Sequence, residues 1–133
     1  MLSSGWWTIA LLSGMGLASS LSFAAKTGND LLEDCRYQQS DVRKMTPAER
    51  LHSAACVNYI AGIADGVTVR ARDTGTGIPC IPPDATARDL SIIVLEYMRN
   101  HSEELARDAA HLVVYAIYQT YPCKATHGAS SPH

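Results

Sequence analysis

Apolar side chains recur at spacings of three and four along most of the chain beyond residue 30, the period of helices with one buried face. Leu31, Leu32 and Cys35 set the first short stretch, which reads as a helix over Asp30 to Gln39 after a polar lead-in from Lys26 to Asn29. Thr46-Pro47-Ala48-Glu49 then combines a hydroxyl N-cap, a proline at the first helical position and a glutamate able to reach back to the backbone N–H of the cap. The helix it opens carries Leu51, Ala54, Ala55, Val57, Ile60, Ala61, Ala64 and Val67, a broad face of mostly small residues. Gly62 and Gly66 weaken its later turns, and it fades near Asp73, because Thr74-Gly75-Thr76-Gly77-Ile78-Pro79 is turn chemistry throughout.

Cys80 to Asp84 continues as extended chain, since each proline biases the residue before it away from the helical region. Thr86 caps a third helix whose Leu90, Ile93, Val94, Tyr97 and Met98 form one stripe. Asn100-His101 ends it. Ser102, followed by Glu103 and Glu104 where a helix dipole favours anions, is expected to cap a fourth, with Leu105, Ala109, Leu112, Val113, Ala116 and Ile117 as its stripe. Pro122 stops that helix. No segment shows strand alternation and no repeat is present, so the expected class is all-α, a small bundle of about four helices.

Upstream, Trp6 to Ala25 is the longest uncharged stretch, with a short apolar core and small residues at Ser22 and Ala24. It reads as a signal peptide, residues 1–24, cleaved after Ala24, although Met1 to Gly5 brings no lysine or arginine. The folded domain is then 25–123, and the polar residues 124–133 are expected to form a disordered tail. All four cysteines, Cys35, Cys56, Cys80 and Cys123, lie beyond the leader, so an even count meets an oxidising compartment and reads as two disulfides. Three pairings are open. A very short turn makes the third and fourth helices antiparallel, which brings Cys123 back towards Cys80 and leaves Cys35 for Cys56.

Composition narrows the function without naming it. The 133 residues are 47% hydrophobic and 18% charged, within the globular range, and 11 basic against 13 acidic side chains leave no basic stripe for nucleic acid. No nucleophile stands in a G-x-S-x-G turn, and no H-E-x-x-H is present. His52 and Cys56 share a helical face at metal-ligand spacing, but the cysteines are better used as disulfides, so no metal and no cofactor is expected. Asp108 and His111 stand three apart, a spacing that suits a general base with its carboxylate; helix surfaces carry many such pairs as solvated contacts. Asp65, in an otherwise small and apolar run, reads as a packing carboxylate that binds a neighbouring helix terminus or a tyrosine hydroxyl. Tyr115, Tyr118 and Tyr121 drift round one side of the fourth helix and suit a partner or the first helix equally.

Taken together, Gly28-Asn29-Asp30-Leu31-Leu32 with Cys35, then Cys56-Val57-Asn58-Tyr59-Ile60-Ala61-Gly62-Ile63-Ala64-Asp65-Gly66, Cys80-Ile81-Pro82 with Thr86, and Tyr121-Pro122-Cys123 resemble the small periplasmic immunity proteins of type VI secretion, of the Rap/Tai amidase-immunity kind. The resemblance runs from Gly28 to Cys123; Asn58 stands where a glycine is usual. It implies a secreted, disulfide-bonded helical protein, often a dimer, that is no enzyme itself and instead blocks the active-site cleft of a peptidoglycan amidase. It transfers no effector-contacting residue. The loop Thr74, Gly75, Thr76 and Gly77 is the first candidate for partner binding, by its length and glycines. The competing class is a periplasmic acid-stress chaperone, which would loosen near pH 2 to 3 with its disulfides intact and bind unfolded clients.

Overall fold

The computed structural model describes residues 24–74 and 79–123, with side chains at 71–74 left aside; the leader and the tail lie outside these residues. Four helices follow one another: α1, Gly28–Cys35; α2, Pro47–Thr74; α3, Ala87–Asn100; and α4, Ala109–Thr120. A separate 3-10 turn, Ser102–Glu104, sits between α3 and α4. No β-strand occurs among the described residues beyond an isolated antiparallel bridge between Thr27 and Asp108.

Capping fixes where the first three helices start. Thr27 and Asp30 form a reciprocal box at α1, and Thr86 and Asp89 repeat it at α3. At α2 the Thr46 backbone N–H donates to Glu49 at 2.7 Å, and the Glu49 N–H donates back to the Thr46 hydroxyl at 3.3 Å. Two boundaries differ from the sequence expectation. The first helix spans Gly28–Cys35 rather than Asp30 to Gln39, because the carboxylate of Asp30 closes the cap as its third residue. The fourth starts at Ala109 rather than after Ser102: Glu103 and Glu104 belong to the 3-10 turn, and residues 105–108 form an irregular connection.

That connection exists to receive the N-terminal segment. Gly28 N–H donates to the Arg107 carbonyl at 2.9 Å, Asn29 N–H to the Leu105 carbonyl at 2.9 Å, and Ala109 N–H to the Lys26 carbonyl at 2.8 Å. Backbones meet this closely only because Gly28 lacks a side chain. A Cβ there would lie 2.9 Å from both Cα and O of Leu105 and would collide with Leu112.

The core gathers Leu31, Ile60, Val94, Leu95, Met98, Leu112, Val113 and Ile117, all fully buried, so every helix contributes at least one residue. Two disulfides staple it. Cys35–Cys56 ties α1 to α2 with a Cα separation of 5.0 Å, and Cys80–Cys123 ties the segment before α3 to the chain after α4 at 4.9 Å. This is the pairing expected from the antiparallel α3–α4 hairpin.

Gln38 is the buried polar joint. Its Nε2 donates to the carbonyl and hydroxyl of Ser53 on α2 at 2.9 and 3.0 Å. Its Oε1 accepts from the Ser91 hydroxyl on α3 at 3.1 Å, and its backbone carbonyl accepts from Arg88 at 2.9 Å. The turn after α1 is therefore held to two other helices by one side chain. Gln38→Leu is expected to lower stability by about 1–3 kcal/mol, because the buried Ser91 hydroxyl loses one of its partners. A urea midpoint equal to that of the parent would contradict the assignment.

Candidate partner-docking groove

Along the second half of α3, where it runs beside the later turns of the antiparallel α4, lies a groove of about 300 Å³. Its walls come from Ile93, Glu96, Tyr97, Asn100 and His101 along α3 and its C-cap, and from Ala116, Gln119 and Thr120 on α4. Helical period puts Ile93, Tyr97 and Asn100 on one face of α3, while Ala116 is small enough on α4 to leave the space open.

Aromatic contacts stiffen the side of the groove where the end of α3 meets the first half of α4. The Tyr97 and His101 rings stack with centroids 4.0 Å apart, and Tyr115 stands edge-on to Tyr97 at 6.1 Å. His111 stacks on the outer side of Tyr115 at 6.2 Å. The His101 Nδ1 lies 2.9 Å from the Tyr97 carbonyl, which can only accept, so that nitrogen carries the proton. Similarly, Arg107 can only donate to the His111 Nε2, 3.1 Å away, which makes this nitrogen the acceptor. Tyr97 donates its hydroxyl to Glu104 at 3.1 Å, and Arg107 pairs with the same carboxylate at 3.4 Å. Burial first, then the Glu104 hydrogen bond and charge, pushes the Tyr97 phenol above its ordinary pKa, so it remains a donor.

This arrangement is chemically suited to holding a partner. Tyr115, whose ring meets Tyr97 of the groove wall, and Tyr118, further round α4, are 47% and 44% exposed, large amphipathic rings of the kind that binding surfaces use. Tyr115→Ala is expected to shift the unfolding midpoint little, since the ring is nearly half in water, yet to weaken partner binding by about tenfold or more. Equal affinities of parent and variant for a captured partner would exclude the groove from the interface.

A second cluster joins the N-terminal segment to α1 and α2. Asp34 receives Lys26 and the Nδ1 of His52, the latter at 2.6 Å, and the Lys26 ammonium also lies 5.4 Å from the Tyr59 ring centroid. Burial pushes the Asp34 carboxyl up, but the hydrogen bonds and charges of Lys26 and His52 outweigh it and hold it below the ordinary value. Asp30, Glu49 and Asp89 are lowered by the hydrogen bonds of the caps they close. A carboxylate lowered on folding adds stability above its unfolded pKa, about 3.9–4.3, and loses it as pH falls through the folded value. The unfolding midpoint should therefore hold steady from pH 7 to about 5 and decline below about pH 4. A midpoint that rises over that lower range would contradict these contacts.

The residues singled out in the sequence fare differently. Cys56 is spent in a disulfide and His52 turns to Asp34, so their shared helical face is no metal site, and no His/Cys/Asp/Glu group fit for a metal occurs among the described residues. His111 meets the side chain of Arg107 rather than that of Asp108, which gives its backbone carbonyl to the start of α4. Asp65 is exposed on α2 beside a shallow trough formed with Thr68, Ile81 and Ala85, and is no packing clamp. Of the four loop residues, Thr74 ends α2, while Gly75, Thr76 and Gly77 lie outside the described residues. Tyr115 and Tyr118 face solvent, whereas Tyr121 packs on the core.

The family model of the Rap1a immunity proteins matches residues 27–123, from the cap of α1 to the last cysteine. The chain belongs to the Rap1a immunity protein family. No curated protein and no solved structure matches it. Membership of the Rap1a family suggests an immunity function exerted by binding a secreted effector, and so a non-enzymatic inhibitor. Two disulfides in a Rap1a domain of this size suit an extracytoplasmic location, and among the described residues no helix is long and apolar enough to cross a membrane.

The α3–α4 groove escaped the sequence reading. In the sequence only Ile93, Tyr97 and Ala116 of its residues stand out, as members of core stripes, because the period that buries Val94 and Met98 also places Ile93, Glu96 and Asn100 along the flank. One signal was present: tyrosine and histidine crowd this end of the chain, at 97, 101, 111, 115 and 118.

Proposed function

We propose that this protein is a periplasmic immunity protein that binds and inhibits a peptidoglycan amidase effector of type VI secretion, protecting the cell that makes it. The observation that carries the reading is the family match, which spans the whole folded domain rather than one motif. The leader is removed after Ala24, the mature domain acts as a homodimer, and the tyrosine-bordered α3–α4 groove and the Thr74 to Gly77 loop are the two surfaces offered to the effector. Support for a rigid inhibitor comes from the disulfide-stapled core and from the caps that lock the starts of α1, α2 and α3. A pre-ordered surface loses little entropy on binding.

The test is protection in cells. An amidase effector directed to the periplasm should lyse cells alone and spare them when the full-length chain with its leader is co-expressed. Protection should vanish when the leader is deleted, because disulfides then fail to form in the reducing cytosol. Lysis that proceeds equally with and without the full-length chain would overturn the proposal.

A further inference from the structure

The two disulfides occupy opposite environments. Cys35 and Cys56 are both 0% exposed and belong to the hydrophobic core, whereas Cys80 is exposed and Cys123 half-buried. Thiol–disulfide exchange requires a thiolate to reach a sulfur, so access separates a bond that reacts in the folded state from one that waits for unfolding. We propose that Cys80–Cys123 is a thiol–disulfide exchange site, opened in the folded protein by a dithiol reductant while Cys35–Cys56 stays closed.

The exchange balances without a further reagent. One thiolate of the reductant attacks the Cys80 Sγ, forms a mixed disulfide and expels the Cys123 thiolate, which takes up a proton. The second reductant thiolate then attacks its own partner sulfur in the mixed disulfide and releases Cys80, also protonated. Two electrons and two protons pass from the dithiol to the cysteine pair, leaving the reductant as a disulfide.

The fold keeps the opened ends in place by contacts that do not involve sulfur. Cys80 N–H donates to the Tyr121 carbonyl at 2.8 Å, and Ile81 and Tyr121, flanking the two cysteines, both pack against the core. Tyr121 N–H also donates to the Ile117 carbonyl at 2.8 Å, closing the last turn of α4. The half-reduced protein is therefore a folded species whose thiols remain neighbours and can close again. Its opened end adjoins Gln119 and Thr120 of the groove, so a change of redox state is felt at that surface.

The experiment uses the oxidised mature chain in native buffer with excess dithiothreitol, quenched at intervals with iodoacetamide and mapped by peptide mass. Cys80 and Cys123 should be alkylated at least about tenfold faster than Cys35 and Cys56, with the helical circular dichroism intact at the half-reduced stage. Alkylation of all four at one rate, or of Cys35 and Cys56 first, would overturn the proposal. The double variant Cys80→Ser with Cys123→Ser should retain the helical spectrum at 25 °C. Its failure to fold would equally overturn it, by showing that the half-reduced state does not persist.

Discussion

Replacing the core disulfide, Cys35→Ala together with Cys56→Ala, should lower the melting temperature by roughly 10–20 °C or leave the chain unfolded at 37 °C. Loop closure over a sequence separation of 21 corresponds to roughly 3 kcal/mol in the chain-entropy model. The same arithmetic for the other bond, separated by 43, gives roughly 4 kcal/mol, so entropy alone ranks the pair the other way. Environment reverses the order. Both core cysteines are fully buried where α1 crosses α2, and removing their sulfurs leaves a void beside Leu31 and Ile60. Thermal unfolding followed by circular dichroism checks this, and a shift below a few degrees would show that packing alone holds α1 in place.

The second large effect falls on Gly28, and Gly28→Ala is expected to cost about 1–3 kcal/mol. The added methyl meets Leu112, which could give way, but it also lies 2.9 Å from the Leu105 backbone, held by its carbonyl's bond to Asn29 N–H. Trimming the first obstacle should therefore fail to rescue the second. The double variant Gly28→Ala with Leu112→Ala should be less stable than either single one, since Leu112 is itself fully buried and its truncation typically costs 2–5 kcal/mol. Denaturant midpoints of the four proteins decide it. Restoration of stability in the double variant would mean that the backbone moves freely there, contrary to the three hydrogen bonds that join this segment to the connection.

Much of the fold was legible because its signals are local. The Thr46–Glu49 box, the Thr86 cap and the apolar stripe of α3 each follow from residues within two turns of one another, and each stands where the spacing placed it. The antiparallel α3–α4 hairpin was enough to rank the cysteine pairings. The start of α4 differs from the expectation because Ser102, Glu103 and Glu104 carry a helix-start signal that a single 3-10 turn also satisfies. What decides between the two is the N-terminal segment, which claims the Leu105 and Arg107 carbonyls from more than 70 residues away along the chain. Long-range competition of this kind leaves no local mark. Asp65 failed for the opposite reason: its small, apolar neighbours suggest burial, yet α2 turns that flank outward, and a Cβ placed at Gly62 or Gly66 would meet nothing within 4 Å.

The candidate site was legible only in its composition. Tyrosines and histidines cluster near the chain's end, but the groove that Tyr97 and His101 line is made by two antiparallel helices meeting in space, and Gly28 and the cysteines serve the scaffold instead. Function therefore rests on the binding partner. The decisive measurement is the rate of peptidoglycan hydrolysis by a type VI amidase effector, captured from the source organism on the oxidised mature chain, as that chain is titrated in. Inhibition that is complete near equimolar protein, and lost when the chain is fully reduced, is the expected outcome. An amidase whose rate is unchanged at a large excess of the oxidised chain would contradict the proposed function.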